Sequence, residues 1–185
     1  NFQIRFLKPL LSSGEVDFTL RSGSASVLLE ALESLALDIV LTTDPPDSSL
    51  SGDFTAHRLA EQKVTIHGTP ERIAGKTLHQ LLSDEPLIVP DESSIRTGFD
   101  SLVARLGITP RIVADVDDMA MVRLLARADV GIAIAPPVVM ADEIAAGLLE
   151  SAPFDLQIFE AFYAVTVTRS FPHPILRELL TGQMD

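Results

Sequence analysis

The sequence predicts an α/β protein whose two lobes are joined by two crossing strands. Apolar stretches typical of strands alternate with amphipathic stretches typical of helices over most of the 185 residues. Such alternation is characteristic of parallel strands with helical crossovers. Two longer strand-like stretches, 57–67 and 158–168, separate one run of alternation from the next. The predicted lobes are therefore residues 1–65 plus 163–185 and residues 66–162.

The first lobe is predicted to begin with an apolar helix, Phe2–Leu11, followed by a strand, Val16–Leu20. A turn at Ser22–Ser24 leads into an amphipathic helix, for which Ser24 is a candidate N-cap. The next strand, Leu37–Leu41, is nearly all apolar, as expected for a strand covered on both faces. Residues 44–53 are rich in proline and serine, which predicts a loop.

The second lobe repeats this alternation. Its predicted strands are Leu87–Val89, Arg111–Ala114 and Val130–Ala135. Its predicted helices are 95–106, which stops at Gly107, 119–128 and 140–146. The chain is predicted to return to the first lobe with a strand, Phe162–Thr168, and a short helix that contains Ile175 and Leu180.

Composition excludes several classes of protein. With 14 basic and 26 acidic residues the net charge is −12, so this segment offers no extended nucleic-acid surface. The absence of cysteine excludes disulfides and thiolate metal sites, and it fits a reducing, cytoplasmic location. No apolar run approaches the roughly 20 residues of a membrane helix, so no membrane association is predicted.

Enzyme motifs are also missing. The sequence contains no nucleotide-binding glycine loop, no G-x-S-x-G and no H-E-x-x-H. The four histidines have no metal-ligand spacing, and no serine has a base nearby in the sequence. We therefore expect neither catalysis nor a cofactor.

Ser93 and Ser94 form the first candidate site. They follow the predicted strand 87–89 and open the helix 95–106, at the sheet edge where ligands bind in open α/β folds. The free N–H groups and partial positive charge of a helix N-terminus suit an anion. Alternatively, one serine simply caps its helix.

Further candidates follow other predicted strands. Ser22, Ser24 and Thr43 lie at strand ends in the first lobe, and Asp117 and Asp118 open the helix 119–128. Either aspartate could be a plain N-cap. Together with Asp44, the two could instead hold a hard cation. These sites are expected to face one another across a cleft that takes a small polar ligand or ion.

The residues resemble the effector-binding domain of LysR-type transcriptional regulators. The resemblance is carried by Ile112–Val122 and Val130–Pro136 in the second lobe, and by Arg21–Ser24, Leu28–Leu32 and Leu37–Leu41 in the first. Within that family, four groups of residues resemble the branch that regulates sodium/proton antiporters. These are Asp38–Leu41 with Pro45, Leu87–Pro90 with Ser93 and Ser94, Asp117 and Asp118 with Ala120, and His173 with Pro174.

The resemblance implies two Rossmann-like lobes joined by two crossing strands, as in type 2 periplasmic binding proteins. It also implies a winged helix-turn-helix upstream of residue 1 and a first strand that this chain lacks. Carried over by position, effector contacts fall near Ser24, Thr43, Ser93, Ser94 and Asp118, with Pro136 at the cleft edge. An arginine that some members have near Thr43 is absent, which disfavours an aromatic carboxylate.

The resemblance further implies a homodimer or tetramer formed through Phe2–Leu11 and Val16–Leu20. Apolar residues on two sides of that helix favour a partner, although Pro9 would alternatively break the segment into an internally packed turn. Operator DNA would be bound only through the missing upstream domain, and RNA polymerase is a further candidate partner.

Three functional hypotheses remain at this point. The first is the sensory domain of a cytoplasmic LysR-type activator that responds to sodium or to a small organic anion. The second is an extracytoplasmic solute-binding protein of the same fold. The third, an α/β transferase or hydrolase, is disfavoured because no nucleophile–base pair can be named.

Overall fold

The computed structural model describes residues 7–8, 17–46, 54–91, 93–168 and 180. The described residues divide into two compact units. The first is Gln62–Glu160, and the second comprises the described parts of 3–61 and 161–185. The units divide after residues 61 and 160, and the lobes predicted from the sequence divide after residues 65 and 162.

Eight strands and six α-helices are numbered in chain order among the described residues. The strands are β1 (Val40–Thr42), β2 (Phe54–Lys63), β3 (Thr65–Gly68), β4 (Pro86–Pro90), β5 (Arg111–Val116), β6 (Ile132–Ala135), β7 (Glu150–Ser151) and β8 (Phe159–Val167). The helices are α1 (Ala25–Glu33), α2 (Pro70–Ile73), α3 (Leu78–Asp84), α4 (Ser94–Leu106), α5 (Met119–Arg127) and α6 (Ala141–Ala145). A 3₁₀ helix, Pro137–Met140, precedes α6.

The first unit is built on a five-stranded sheet with the order β5-β4-β6-β3-β7. Strands β5, β4 and β6 are parallel, as predicted, whereas β3 is antiparallel to β6 and β7 is antiparallel to β3. The sheet is thus mixed, with three parallel strands and two antiparallel ones. Strand β3 follows directly on β2, and β7 is a two-residue strand on the return path. Neither arises from a strand–helix–strand crossover, which is what makes neighbouring strands parallel.

The central strands of this sheet are buried on both sides because helices cover both of its faces. Alternate residues of β4 point to opposite faces, so Leu87 and Val89 join one core cluster and Ile88 joins the other. Helix α4 packs on the first face, where Phe99 is fully buried. Helix α5 packs on the second face through Val122.

The second unit contains a three-stranded sheet with the order β1-β8-β2. Strand β1 pairs antiparallel with β8, and Val40 lies opposite Val165. Helix α1 covers this pair through Leu32, which forms a small buried cluster with the two valines. As predicted, Ser24 is at the N-cap position of α1.

Three elements differ from the prediction. The strand expected over 57–67 is two strands separated at Val64, whose buried N–H donates to the carbonyl of Ile158 (2.9 Å). Residues 17–20 of the strand expected at Val16–Leu20 form no strand, and Leu20 is 67% exposed. The helix expected over 140–146 begins as a 3₁₀ helix because Pro136 and Pro137 start that turn.

Some predicted elements lie outside the described residues. Of the helix expected at Phe2–Leu11, only Leu7 and Lys8 are described, and both are helical. The helix expected near Ile175 lies outside them except for Leu180. Across the described part of the chain, no helix combines the length and the apolarity that crossing a bilayer requires.

Candidate functional site

The parallel strands of the first unit end at one edge of the sheet. Pro90, the last residue of β4, pairs with Val116, the last residue of β5. Strand β6 runs in the same direction beside β4 and ends at Ala135. Five of the predicted site residues come within four residues of these strand ends: Ser93, Ser94, Asp117, Asp118 and Pro136.

Helix α4 begins at this edge with Ser93 as its N-cap. The Oγ atom of Ser93 accepts a hydrogen bond from the backbone N–H of Arg96 (3.2 Å), which uses the hydroxyl oxygen as an acceptor and not its hydrogen. Ser94 is the first helical residue and is exposed. Because the first backbone N–H groups of a helix have no partners within it, the start of α4 presents donors at the sheet edge.

Helix α5 begins at the same edge with an acidic cap. The Oδ1 atom of Asp118 accepts a hydrogen bond from the backbone N–H of Ala120 (2.9 Å), so Asp118 is the N-cap of α5. Asp117, immediately before it, is exposed. The N-terminus of α5 is thus capped by a carboxylate, whereas the side chain that caps α4 is the hydroxyl group of Ser93.

Arg96 connects the start of α4 to β5, a role that the sequence analysis missed. Its Nε atom lies 3.1 Å from both carboxylate oxygens of Asp100, and its Nη1 atom donates to Asp115. Although burial disfavours the charged guanidinium, the hydrogen bonds to Asp115 and Asp100 outweigh it and raise the pKa of Arg96. The spacing of Arg96 and Asp100 by four residues was the sequence signal for this pair.

A buried histidine also lies at this end of the sheet. Strand β3 begins at Thr65, which pairs with Ala135, the residue before the buried Pro136. The side chain of His67, two residues further on, is fully buried and contacts both Thr65 and Ala135. Burial lowers the pKa of His67 to about 4, despite its hydrogen bond with the Ala135 backbone. The sequence signal was the spacing of two polar residues on one face of a buried strand.

The remaining predicted site residues belong to the second unit. Ser22 and Ser24 are exposed before α1, and the hydroxyls of Ser24 and Ser26 lie 3.1 Å apart without capping the helix backbone. Thr43 is half-buried after β1, and the backbone N–H of Asp44 donates to Thr42 Oγ1 (3.1 Å). Since α1 packs against β1 and a short connection joins them, the start of α1 and the end of β1 lie toward the same end of this unit.

The described carboxylates form no evident metal site. Among the described residues, no group of three or more His, Asp or Glu side chains is arranged to hold a metal ion.

A family model described as the LysR substrate binding domain matches residues 12–181, which is nearly the whole chain. The chain belongs to this family. A search of curated proteins found no match to this LysR substrate-binding domain.

Solved structures of regulatory domains share its fold. The CcmR regulatory domain from Synechocystis PCC6803 in complex with 2-PG has a TM-score of 0.75 at 15% identity, over 100% of this chain and 92% of that one. The bromide-bound regulatory domain of HypT from Salmonella typhimurium has a TM-score of 0.72 at 17% identity, over 97% and 90%. The QuiR effector-binding domain in complex with shikimate has a TM-score of 0.63 at 20% identity, over 97% and 84%. The two-unit α/β architecture is accordingly that of effector-binding regulatory domains with a periplasmic-binding-protein-like fold.

Proposed function

We propose that this LysR substrate-binding domain senses a small anion at the edge of the five-stranded sheet, with Ser93 and Ser94 as its principal contacts. The observation that carries the proposal is the contrast between the two helices that begin there. Asp118 caps α5 with a negative charge, whereas α4 begins with two serines. An anion is therefore favoured at the start of α4, where backbone N–H groups and the helix dipole act together.

The relatives give chemical support for an anion. One of the similar structures is described with shikimate, which is a carboxylate, and another with bromide. Sodium is the competing effector that the antiporter-branch resemblance suggests. It would need oxygen ligands beyond the described carboxylates, since no three of them converge.

A thermal unfolding titration tests the anion directly. The wild-type chain is titrated at pH 8 with the potassium salts of shikimate, bromide and 2-PG, against potassium chloride at equal ionic strength. Equal ionic strength removes the general screening of the −12 charge. A ligand that binds only the folded state raises the midpoint temperature. At a hundredfold excess over Kd the free energy of unfolding increases by about 2.7 kcal/mol.

Two variants of Ser94 separate its hydroxyl from its backbone. Ser94→Ala removes the hydroxyl, and Ser94→Pro removes the N–H at the first helical position, where proline is well tolerated. Both are expected to reduce the anion-dependent shift. Ser101→Ala, an exposed serine further along α4, is the matched control and should retain it. The proposal fails if no anion shifts the wild-type midpoint beyond the chloride baseline, or if both Ser94 variants respond like the wild type.

The same titration has an arm for sodium. Sodium chloride is compared with potassium chloride at equal concentration, in the wild type and in Asp118→Asn. A sodium-specific shift that disappears in the variant would replace the anion with a cation as the effector.

We infer the assembly from the family. A DNA-binding domain upstream would contact the operator, and homodimers or tetramers would form through Phe2–Leu11 and Val16–Leu20. Effector binding would then change the geometry of the dimer or tetramer only if the effector has unequal affinity for two conformational states of the assembly. Sedimentation of the wild type and Phe6→Glu tests the interface, and equal masses for both would contradict it.

Further predictions follow from the family resemblance. They are cytoplasmic location, activation, antiporter genes as targets and contact with RNA polymerase.

A further inference from the structure

We infer that Thr65 is a further effector contact and that His67 positions its hydroxyl group to donate a hydrogen bond at the edge of the sheet. The inference rests on the proposed anion site, and it adds a donor on β3 to those at the start of α4. Neither residue was a candidate on sequence grounds.

The geometry around the imidazole of His67 carries the argument. Its Nε2 atom lies 3.0 Å from the backbone carbonyl oxygen of Ala135 and 2.9 Å from the hydroxyl oxygen of Thr65. Its Nδ1 atom lies 3.0 Å from the hydroxyl oxygen of Ser151 on β7. The side chain is fully buried, and within the described part of the chain these three groups are its hydrogen-bonding partners.

The carbonyl of Ala135 determines where the imidazole proton is. A carbonyl oxygen can only accept a hydrogen bond, so Nε2 carries the hydrogen. Nδ1 is then the acceptor, and the hydroxyl of Ser151 donates to it. This arrangement needs a neutral imidazole, and burial keeps the pKa of His67 at about 4, which leaves the ring neutral at physiological pH.

The same proton fixes the role of Thr65. Because Nε2 already carries a hydrogen, it can only donate to the Thr65 oxygen, sharing that hydrogen with Ala135. The hydrogen of the Thr65 hydroxyl is consequently not used by His67 and can point to another acceptor. The Thr65 hydroxyl therefore accepts a hydrogen bond from His67 and keeps its own hydrogen available to donate to a ligand.

Thr65 lies at the sheet edge, where an acceptor atom of an effector could receive this hydrogen bond. Thr65 is the first residue of β3, is half-buried, and pairs with Ala135 where β6 ends before Pro136. This is the edge at which β4 and β5 also end. The charged group of an anion, such as a carboxylate, is rich in acceptor atoms and carries no hydrogen to donate, so it suits a fixed hydroxyl donor.

Thr65→Val tests the contact because it removes the hydroxyl with little change in shape. Binding of shikimate, bromide and 2-PG is measured by titration calorimetry on the whole chain. Thr65→Val is expected to weaken the bound probe on the order of tenfold, as for loss of one hydrogen bond to a charged group. Thr65→Ser keeps the donor and should bind within about threefold of the wild type.

Thr69→Val is the matched control, since it makes the same substitution just beyond the other end of β3. The hydroxyl of Thr69 donates to Asp129 Oδ1 (3.0 Å), away from the edge, so probe affinity should not change. If the wild type binds and Thr65→Val binds equally well, the Thr65 contact is refuted while the anion site stands. If the wild type binds none of the probes, both proposals fall.

A spectroscopic signature tests the positioning role of His67 apart from stability. Long-range ¹H–¹⁵N spectra at pH 7 are expected to show the Nε2–H tautomer, and an Nδ1–H tautomer would overturn the inference. His67→Gln keeps an N–H donor near the Nε2 position and should retain probe binding, whereas His67→Leu should lose it. Equal binding by a folded His67→Leu would also overturn it.

Discussion

Gly131 lies so close to Pro86 that a Cβ atom on the glycine would be 2.4 Å from the proline carbonyl oxygen. Gly131 is buried immediately before β6, and Pro86 is the first residue of β4. The contact therefore lies where two neighbouring parallel strands begin. Since the obstructing atom is backbone held in the sheet, it cannot rotate away as the end of a side chain could. Only glycine allows the two strands to start this close together.

Gly131→Ala should consequently destabilise the first unit. We expect a loss of about 1–3 kcal/mol in the free energy of unfolding, typical of overpacking in a buried site. Urea denaturation followed by circular dichroism measures it. Gly23→Ala is the control, because its Cβ would meet nothing nearer than Leu28 at 3.8 Å, and its effect should stay within about 0.5 kcal/mol. Similar losses in both variants would contradict the packing argument.

Periodicity and breaker residues predicted most helices and strands of the first unit. The predicted helix 95–106 is α4 (Ser94–Leu106), which ends at Gly107 in the left-handed conformation that favours glycine. Strand direction was harder to predict. Whether β3 runs parallel or antiparallel to β6 depends on which strands become neighbours, and this is a long-range property. The break at Val64 was hidden because both sides of it have strand-like residues.

The helix starts at Ser93 and Asp118 were predictable in position, but the hydrogen bonds around them were not. A serine or aspartate after a strand and before a helix marked Ser93 and Asp118 correctly as residues at helix starts. The sequence left open whether the carboxylate of Asp118 caps α5 or contacts an effector, and in the structure it accepts from the N–H of Ala120. The sequence also could not show His67, because the partner carbonyl of Ala135 is 68 residues away.

The cap of α5 gives a second prediction. Asp118→Ala should lower the free energy of unfolding by about 1 kcal/mol, because the N–H of Ala120 loses its acceptor. Asp118→Asn should retain most of the stability, since the amide oxygen can still accept. Asp117→Ala is the neighbouring control, and because Asp117 is exposed its effect should be smaller. Equal losses from both alanine variants in urea denaturation would argue against the cap.

An ion-pair network around Glu85 gives a third prediction. One carboxylate oxygen accepts from Arg72 Nη1 (2.7 Å), and the other accepts from Lys76. Burial opposes the charge on Glu85, but the hydrogen bonds from Lys76 and Arg72 outweigh it and lower its pKa. Glu85→Gln should therefore cost on the order of 2 kcal/mol at pH 7. Glu71→Gln, an exposed carboxylate on α2, is the control and should change little.

The pH dependence of that difference has a definite sign. A carboxyl whose pKa is lowered on folding stabilises the protein above its unfolded pKa, and that stabilisation disappears as pH falls through the folded pKa. The gap between wild type and Glu85→Gln should thus be full above the ordinary value of 4.5 and shrink in more acidic solution. Chemical denaturation between pH 3 and 7 checks this, and a gap that widens in acid would refute it.

Glu160 should give the opposite dependence on pH. This residue of β8 is only 4% exposed, and burial raises its pKa from 4.5 to about 7. The folded state therefore holds a proton that the unfolded state has lost, so stability is full below pH 4.5 and falls as pH rises toward 7. A shift of this size corresponds to a loss of about 3 kcal/mol. Glu160→Gln should abolish the decline and make the chain more stable than wild type at pH 8, whereas exposed Glu150→Gln should leave it in place. Urea denaturation at pH 5, 6, 7 and 8 measures both variants, and parallel curves for wild type and Glu160→Gln would show that Glu160 does not titrate in this range.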